Sequence, residues 1–385
     1  MNDRRAFIKL LAAMACTPAL VNASYTMPER SFQKGPKHTN LLISAFDDHQ
    51  GQHYIGAYGL DEQEWLQRVR VSRRYHSAVS RKLNGSDDSL SNNQLIFVAR
   101  RPGDQAIVLD LVNHQVIEVQ APAGRHFYGH AGVDARNWVW FTENDFKSGR
   151  SLLVARSGSA LEKIEAEIDL QGIGPHEFRF LADGRTAVIG LGGIETHPDF
   201  PRKKLNLDSM QSEILLVDTV TGKVIDRDTP LDPQLSLRHL DVSPSGDVVI
   251  AAQYQGPKYE QFPLVYRYSK QAGLNALKAP ESVWRSMNQY IASVQINWSF
   301  QQVLVTCPRA NAIHLFSLET GDWLSQYRIG DPGGASLDEK NRFLVSTGQG
   351  AIVCLSSKNG VLTLEREQQV GDTRWDNHMD RVVIG

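Results

Sequence analysis

The sequence predicts an all-β protein, a seven-bladed β-propeller closed by pairing of its N- and C-terminal strands. Short runs of β-branched and aromatic residues alternate along the chain with Gly, Asp, Asn and Pro, which is typical of strands joined by tight turns. A module of such runs also recurs with a period of about 50 residues and roughly four strands per unit. These two observations together favour a propeller over other β architectures.

Six copies of the module can be aligned, each with a short alternating strand, a polar turn and a more apolar strand. Their first residues are His76, His130, Glu177, His239, Ser293 and Gly334. A seventh copy needs both ends of the chain, because residues 41–46 and 52–58 supply strands and residues 378–384 supply another. Pairing these segments in one blade would remove the exposed edges of the ring. Rings of six or eight blades and a two-domain β-sandwich are the alternatives, and segment 61–70 is the best candidate for a short helix.

The N-terminus predicts export from the cytoplasm. Arg4-Arg5 is followed by Phe7 and Lys9, the pattern of a twin-arginine signal, and Val21-Asn22-Ala23 suits cleavage after Ala23. We therefore expect a twin-arginine signal peptide over residues 1–23, a flexible linker over 24–38, and a single propeller domain over 39–385 that works in the periplasm. A lipoprotein anchored through Cys16 and a plain amphipathic helix are the alternatives.

Composition excludes several classes of function. The formal net charge is −2 and no long run of one sign occurs, so we expect no nucleic-acid partner. No later run of residues has the apolar length of a transmembrane segment. There is no C-x-x-C-H motif for covalent haem attachment. Cys307 and Cys354 lie in separate apolar runs, which favours two buried thiols over a disulfide.

Histidines concentrate at one register of the repeat. In a propeller, equivalent positions on the innermost strands surround the central channel, so these side chains should face one another. Imidazole is the commonest protein ligand for transition metals, and the pattern predicts a site for Fe, Zn or Cu. The alternatives are hydrogen bonding of each histidine within its own blade and a polar ligand channel without metal. The candidate metal ligands are His76, His130, His176, Glu177, His239 and His378.

A long insertion at residues 192–207 is predicted to cover one mouth of the channel. It begins at Gly192-Gly193, where the backbone can turn sharply, and it contains several basic residues. Such residues could bind an anionic small molecule or a metal chelate, whereas a solvated basic loop is the alternative. The candidate ligand-binding residues are four from the insertion and two from the next module: Glu195, His197, Arg202, Asn206, Arg238 and Gln253.

Five segments together resemble the domain-of-unknown-function 1513 (DUF1513) family. They are residues 172–177, 192–198, 204–210, 235–240 and 253–256, and the resemblance extends over the whole mature chain. It implies an exported, periplasmic seven-bladed propeller. It also implies proximity to iron-uptake proteins as partners, since family members are encoded near such proteins, but it implies no established reaction.

Three functional hypotheses follow from these patterns. The first is a periplasmic binding or accessory protein, associated with iron acquisition, that holds a metal ion or metal chelate in the axial site. The second is a scaffold for protein interactions without a ligand. The third is a lyase or hydrolase that uses the axial histidines as acid and base, although the sequence has neither G-x-S-x-G nor H-E-x-x-H.

Overall fold

A computed structural model describes residues 39–83, 93–111, 115–200 and 203–384. In this part of the chain the strands form seven antiparallel sheets arranged as the blades of a β-propeller. The predicted fold class is confirmed, and the rings of six or eight blades and the β-sandwich are excluded. The predicted signal peptide and linker, including Cys16, lie outside the described residues.

One blade, here called the closing blade, combines both ends of the described chain. Its strands are β1 (Thr39–Asp47), β2 (His53–Gly59), β3 (Glu64–Val71), β28 (Arg374–Trp375) and β29 (Asp380–Ile384). Strand β1 pairs with β2 on one side and with both β28 and β29 on the other. The predicted pairing of N- and C-terminal strands is therefore present.

The other six blades each contain four strands in sequence order, and we number them 2 to 7 along the chain. Blade 2 contains β4 (Tyr75–Lys82), β5 (Asn93–Ala99), β6 (Gln105–Asp110) and β7 (Gln115–Gln120). Blade 3 contains β8 (Arg125–Val133), β9 (Val139–Asp145), β10 (Arg150–Ser157) and β11 (Lys163–Asp169). Blade 4 contains β12 (Pro175–Phe180), β13 (Thr186–Leu191), β14 (Glu213–Asp218) and β15 (Lys223–Asp228).

The remaining blades follow the same order. Blade 5 contains β16 (Leu235–Val242), β17 (Val248–Tyr254), β18 (Val265–Ser269) and β19 (Gly273–Ala276). Blade 6 contains β20 (Ser293–Asn297), β21 (Gln302–Cys307), β22 (Ala312–Ser317) and β23 (Trp323–Arg328). Blade 7 contains β24 (Pro332–Leu337), β25 (Phe343–Thr347), β26 (Ala351–Lys358) and β27 (Val361–Gln369). The one described α-helix, α1 (Glu281–Ser286), precedes blade 6, and two 3₁₀ turns, Trp298–Phe300 and Pro308–Ala310, lie within it.

The first residues of all six predicted modules lie on the first strands of blades 2 to 7. These strands contact the first strands of neighbouring blades around the ring, so they form the wall of the central channel. Apolar residues fill the spaces between blades. For example, Phe127 and Phe141 of blade 3 pack with Ile96 and Val98 of blade 2. The fold thus places equivalent module positions at one level of the channel.

Two local predictions need correction or completion. Segment 61–70 is not a helix: residues 60–63 form a turn, and β3 then pairs with β2 while Gln67, Val69 and Val71 alternate into the interior. Cys307 and Cys354 are free, buried thiols on different blades, as the sequence favoured. No helix in the described residues is both long enough and apolar enough to cross a membrane.

Candidate metal centre

Five imidazole rings form a closed circle on the channel axis. Four of them come from the first strands of blades 2 to 5, and the fifth comes from the link between β28 and β29 of the closing blade. Around the circle, neighbouring ring centroids are 5.0, 4.8, 4.8, 4.8 and 4.3 Å apart, in the order His76, His130, His176, His239 and His378. Together with Glu177 we call these residues the axial cluster.

β-Bulges aim the clustered side chains toward the axis. The register of the first two strands shifts between Tyr75 and Ala78 in blade 2, and between Phe127 and Ala131 in blade 3. Corresponding shifts fall at His176-Glu177 in blade 4 and at Arg238 in blade 5. A bulge adds an unpaired residue and bends the strand locally, so it can turn a side chain away from the regular pleat. The repeated bulge therefore explains why the imidazoles meet at one level.

His378 reaches the axis because blade 7 has no side chain at the equivalent position. A Cβ at Gly334 would stand 2.5 Å from the backbone nitrogen of Met379 and 2.7 Å from the carbonyl carbon of His378. A Cβ at Gly333 would lie 2.9 Å from the carbonyl oxygen of Asp376. Real Cβ atoms do not approach so closely, so the glycine pair leaves the space through which residues 376–379 cross toward the channel.

The cluster brings together donor atoms at a spacing close to that of a transition-metal site. One donor atom from each of His130, Glu177, His239 and His378 lies within 4.8 Å of the others, and His76, His130 and His176 form a second such group. Metal–nitrogen distances are about 2.0–2.1 Å, so ligands on opposite sides of an ion stand about 4.2 Å apart. A small inward movement of these side chains would therefore bring them into coordination distance.

Three ring nitrogens of the cluster show that its hydrogen bonding is incomplete. Nε2 of His130, Nδ1 of His176 and Nε2 of His378 are buried without a hydrogen-bond partner in the described part of the protein. Buried polar atoms are seldom left in this state, because each has lost its hydration without compensation. A metal ion would use such nitrogens as ligands. The residues present thus fit a metal.

Burial keeps the imidazoles in the neutral form that binds metal. Desolvation, followed by the charges of neighbouring histidines and arginines, lowers the pKa of His76, His130 and His176 well below the ordinary value. Desolvation likewise lowers the pKa of His239 and of His378 to about 3. Protons therefore compete weakly with a metal ion near neutral pH.

Two carboxylates, Asp376 behind the cluster and Glu177 within it, orient two of the imidazoles. Oδ1 of Asp376 lies 3.0 Å from Nδ1 of His76 and 3.1 Å from a guanidinium nitrogen of Arg100. Oε2 of Glu177 lies 3.3 Å from Nδ1 of His239, and its Oε1 lies 2.9 Å from Arg179. Carboxylate–imidazole pairs of this kind fix the ring orientation and raise the basicity of the nitrogen that faces a metal.

On one side of the cluster lies a cavity of about 230 Å³ that we call the arginine chamber. His76, His176 and His239 form part of its wall. The other lining residues are Arg100, Arg101, Tyr128, Arg238, Gln253, Tyr290 and Asn377. Arg238 is 7% exposed, and desolvation together with the charge of Arg101 lowers its pKa to about 9. The chamber is thus a cationic space that opens onto the imidazoles.

On the opposite side lies a cavity of about 200 Å³ that we call the acidic chamber. Glu177, Asp241 and Asp380 line it together with Arg179 and His378. Desolvation raises the pKa of Asp241 to about 6, although the charge of Arg179 opposes this. The two chambers therefore present opposite charges to the axial cluster.

The described parts of the insertion, residues 192–200 and 203–207, lie on the side of the arginine chamber. Tyr128 donates its hydroxyl to the carbonyl oxygen of Ile194 at 3.1 Å, and Nζ of Lys204 donates to Oε1 of Gln255 at 2.6 Å. Asn206 holds the insertion together, since its side chain bonds the backbone of Glu195 at 2.7 Å and of Gly193 at 2.8 Å. These contacts place the insertion at the rim of that chamber.

The candidate ligand-binding residues separate into two groups. Arg238 and Gln253 line the arginine chamber, and Gln253 donates to the carbonyl oxygen of Ile291 at 3.0 Å. Glu195 is exposed, and the ring of His197 packs edge-on against Phe146 with centroids 5.3 Å apart, so neither lines the chamber. Arg202 lies outside the described residues.

Sequence reasoning missed several residues around the cluster. Three of them, Arg179, Asp241 and Asp380, each stand two positions after a cluster residue. Side chains at i and i+2 of a strand share a face, so this spacing could have identified them from the sequence. Arg100 and Arg101 follow the end of β5, and Asp376 lies in the link after β28. Their positions depend on loop paths that the module pattern does not describe.

Comparisons with known proteins agree with the architecture. The sequence model of the family described as "Protein of unknown function (DUF1513)" matches residues 74–382. A putative 6-phosphogluconolactonase from Bacteroides fragilis has a similar structure, with a TM-score of 0.59, 10% identity, and coverage of 91% of this chain and 100% of that one. The dihydro-heme d1 dehydrogenase NirN in complex with DHE gives a TM-score of 0.53 at 12% identity, covering 94% of this chain and 80% of that one. At such identities the similarity shows the fold alone. No curated protein matches the sequence.

Proposed function

Because the chain belongs to the DUF1513 family, whose description assigns no function, we propose from the site itself that it is a metal-binding propeller. The axial cluster holds one first-row transition-metal ion through imidazoles and Glu177. In this proposal the protein is exported to the periplasm and acts as a binding or accessory protein in iron acquisition.

The observation that carries the proposal is the set of unpartnered nitrogens on His130, His176 and His378. His126 and His314 also bury unpartnered ring nitrogens, but within the described residues neither belongs to a group of potential metal ligands. In the axial cluster, by contrast, five rings from five blades face one another in a circle. A bound ion gives these nitrogens a partner and would hold the five blades together at the axis.

The donor set favours iron among the three candidate metals. Imidazole binds Fe, Cu and Zn, and the addition of a carboxylate is typical of non-haem Fe(II) sites. The group of His130, Glu177, His239 and His378 combines three imidazoles with such a carboxylate. The iron-uptake association implied by the family resemblance agrees with this choice. Iron is therefore the ion that we propose first, with Zn(II) and Cu(II) as the alternatives to test.

The proposal is tested by metal analysis of the protein purified from the periplasm without an affinity tag. We expect close to one equivalent of metal per chain. Metal-free protein is then titrated with Fe(II) under anaerobic conditions, and with Zn(II) and Cu(II). The same titrations are made on the His130→Ala/His239→Ala double variant, which should lose at least about 100-fold in affinity.

The matched control is the His49→Ala/His53→Ala variant. It also removes two imidazoles, but both lie on the closing blade outside the axial cluster. Its metal affinity should equal that of the unmodified protein. Equal affinity in the unmodified protein and the His130/His239 variant would end the proposal, provided that circular dichroism shows both to be folded.

A further inference from the structure

The arginine chamber has a charge that its own residues do not balance. Three guanidinium groups, from Arg100, Arg101 and Arg238, line it, and none of its described lining residues is a carboxylate. Among the described residues, only Arg100 of these three has an acidic partner, since it bonds Asp376 behind the chamber wall. The space next to the imidazoles therefore carries at least two uncompensated positive charges.

Arg238 provides the strongest evidence that the chamber suits an anion. Its side chain is almost fully buried, and its Nε donates a hydrogen bond to Oγ of Ser236 at 3.1 Å. No acidic group of the described residues pairs with it. Buried charges in proteins are normally paired, because removing an ion from water is costly unless a counter-charge replaces the lost hydration. An anion in the chamber would supply that counter-charge.

The geometry of the chamber also restricts the kind of anion. A guanidinium presents a planar fork of N–H donors that matches carboxylate and phosphate oxygens in a bidentate manner. Arg101 stacks over Tyr128 with its Cζ 5.2 Å from the ring centroid, which holds its fork at the chamber wall. A volume of about 230 Å³ admits a small molecule and no polymer. Its remaining donors, the amides of Gln253 and Asn377 and the hydroxyl of Tyr290, suit oxygen acceptors.

We propose that the arginine chamber binds a small, multiply charged oxyanion, a polycarboxylate or a phosphate, and that one of its oxygens coordinates the metal in the axial cluster. The contact between anion and metal depends on the proposed function, whereas anion binding by the arginines does not. His176 and His239 belong both to the cluster and to the chamber wall, so an anion held by Arg238 lies next to the ion.

The opposite side of the cluster does not offer a comparable site. The acidic chamber carries Glu177, Asp241 and Asp380 around the single guanidinium of Arg179. These carboxylates would repel an anion and attract a cation. The proposed oxyanion therefore approaches the metal from the arginine side alone.

The test measures binding of citrate and of inorganic phosphate by calorimetry, with glycerol as a neutral probe. Each is titrated into metal-free and metal-loaded protein, using the unmodified chain and the Arg238→Gln variant. Arg101→Gln is a second variant, since Arg101 is less buried and its replacement threatens folding less. Arg285→Gln is the matched control, because Arg285 is exposed and pairs with Glu281 away from the chamber.

We expect at least one of the two anions to bind, and to bind tenfold or more weakly in each chamber variant but not in the control. Glycerol should not bind, and metal loading should tighten anion binding. Citrate without phosphate would identify carboxylates as the ligand class, and phosphate without citrate would identify phosphates. Absence of binding by both anions, or equal affinity in all four proteins, would overturn the inference.

Metal affinity measured without anion separates this inference from the proposed function. If metal binds but neither anion does, the chamber inference fails and the metal site stands. If anions bind through the arginines while no metal binds, the proposed metal function fails and the chamber remains an anion site.

Discussion

Nδ1 of His76 lies 3.0 Å from Oδ1 of Asp376, although 300 residues of chain separate them. His76 begins blade 2, whereas Asp376 belongs to the closing blade, so the pair joins two neighbouring blades at the channel axis. Asp376 in turn accepts a hydrogen bond from Arg100. One carboxylate therefore orients an imidazole of the axial cluster and anchors an arginine of the chamber above it.

Replacing Asp376 by asparagine should weaken metal binding by about 10- to 100-fold, the usual effect of removing a carboxylate behind a ligating histidine. The reason is the loss of the negative charge that raises the basicity of His76 and fixes its ring. The measurement is a competitive metal titration, combined with the pH profile of binding. Asp372→Asn is the control, since Asp372 is exposed on the same segment and bonds the backbone of His49. Equal losses in both variants would contradict a positioning role.

The stability of the metal-free protein should fall as the pH drops below about 6.5. The five clustered histidines have folded-state pKa values below 6.5, so the unfolded chain binds more protons than the folded one between 6.5 and the lowered values. In that range each such group lowers the free energy of unfolding by about 1.4 kcal/mol for each pH unit, so the five together lower it by roughly 7 kcal/mol per pH unit. The effect ends for His239 and His378 near pH 3. Asp241 acts in the opposite sense between about pH 4 and 6, as do Asp380 and Glu143, whose pKa values desolvation also raises, but the five histidines outnumber these three carboxyl groups.

Urea denaturation of metal-free protein at pH values of about 7.5, 6.5 and 5.5 checks this expectation. The free energy of unfolding should fall by about 2 kcal/mol between the first two values, where the unfolded imidazoles become half protonated, and by about 5 kcal/mol more at the third. The His239→Gln variant, which removes one titrating imidazole, should show a smaller fall. A free energy of unfolding that is constant down to about pH 5.5 would show that the imidazoles are not buried in neutral form.

Gly129→Ala should disturb the axial cluster directly. Gly129 has φ +99°, a left-handed conformation, and an added Cβ would stand 2.9 Å from Cδ2 of His76. We expect a loss of about 1–3 kcal/mol in stability from backbone strain and, in addition, a measurable loss of metal affinity. Gly246→Ala separates the two effects, since Gly246 has φ +90° and nothing within 4 Å of its added Cβ. It should lose stability while its metal affinity stays unchanged. Unchanged metal affinity in both variants would contradict the contact with His76.

Replacing Arg4 and Arg5 by lysines should leave the precursor in the cytoplasm, because the twin-arginine pathway reads the arginine pair itself. Cell fractionation followed by immunoblotting measures the outcome. The control is the Arg30→Lys variant, which makes the same exchange outside the proposed signal peptide and should not alter export. An unchanged periplasmic yield in the Arg4/Arg5 variant would contradict the export prediction.

The position of the axial cluster along the channel could be predicted from the sequence, because it depends only on equivalent positions in the repeated module. A register shared by His76, His130, Glu177 and His239 specifies a ring wherever the modules form blades, and no atomic detail is needed for that step. The same pattern could not reveal that β-bulges occur at these positions or that Gly333-Gly334 admits His378. Both depend on how neighbouring backbones approach one another.

The error at segment 61–70 has a physical explanation as well. Trp65, Leu66 and Val69 have a spacing that suits a helical face, but the preceding turn reverses the chain and pairs the segment with β2. Trp65 then stacks on Phe46 of β1, with centroids 4.3 Å apart. The pairing of β3 with β2 therefore determined the conformation of this segment in spite of its helical spacing. That pairing depends on residues outside the segment, so the segment alone could not predict it.

The closing blade also determines when the axial cluster can exist during synthesis. His76 leaves the ribosome 300 residues before Asp376, and His378 follows two residues later. Until then a nascent chain has the residues of blades 2 to 7 and four of the imidazoles, but neither the fifth ring nor the carboxylate that orients the first. The complete axial cluster therefore forms only after the closing blade has been made, and a translation product that ends before Asp376 would lack one imidazole of the proposed metal site.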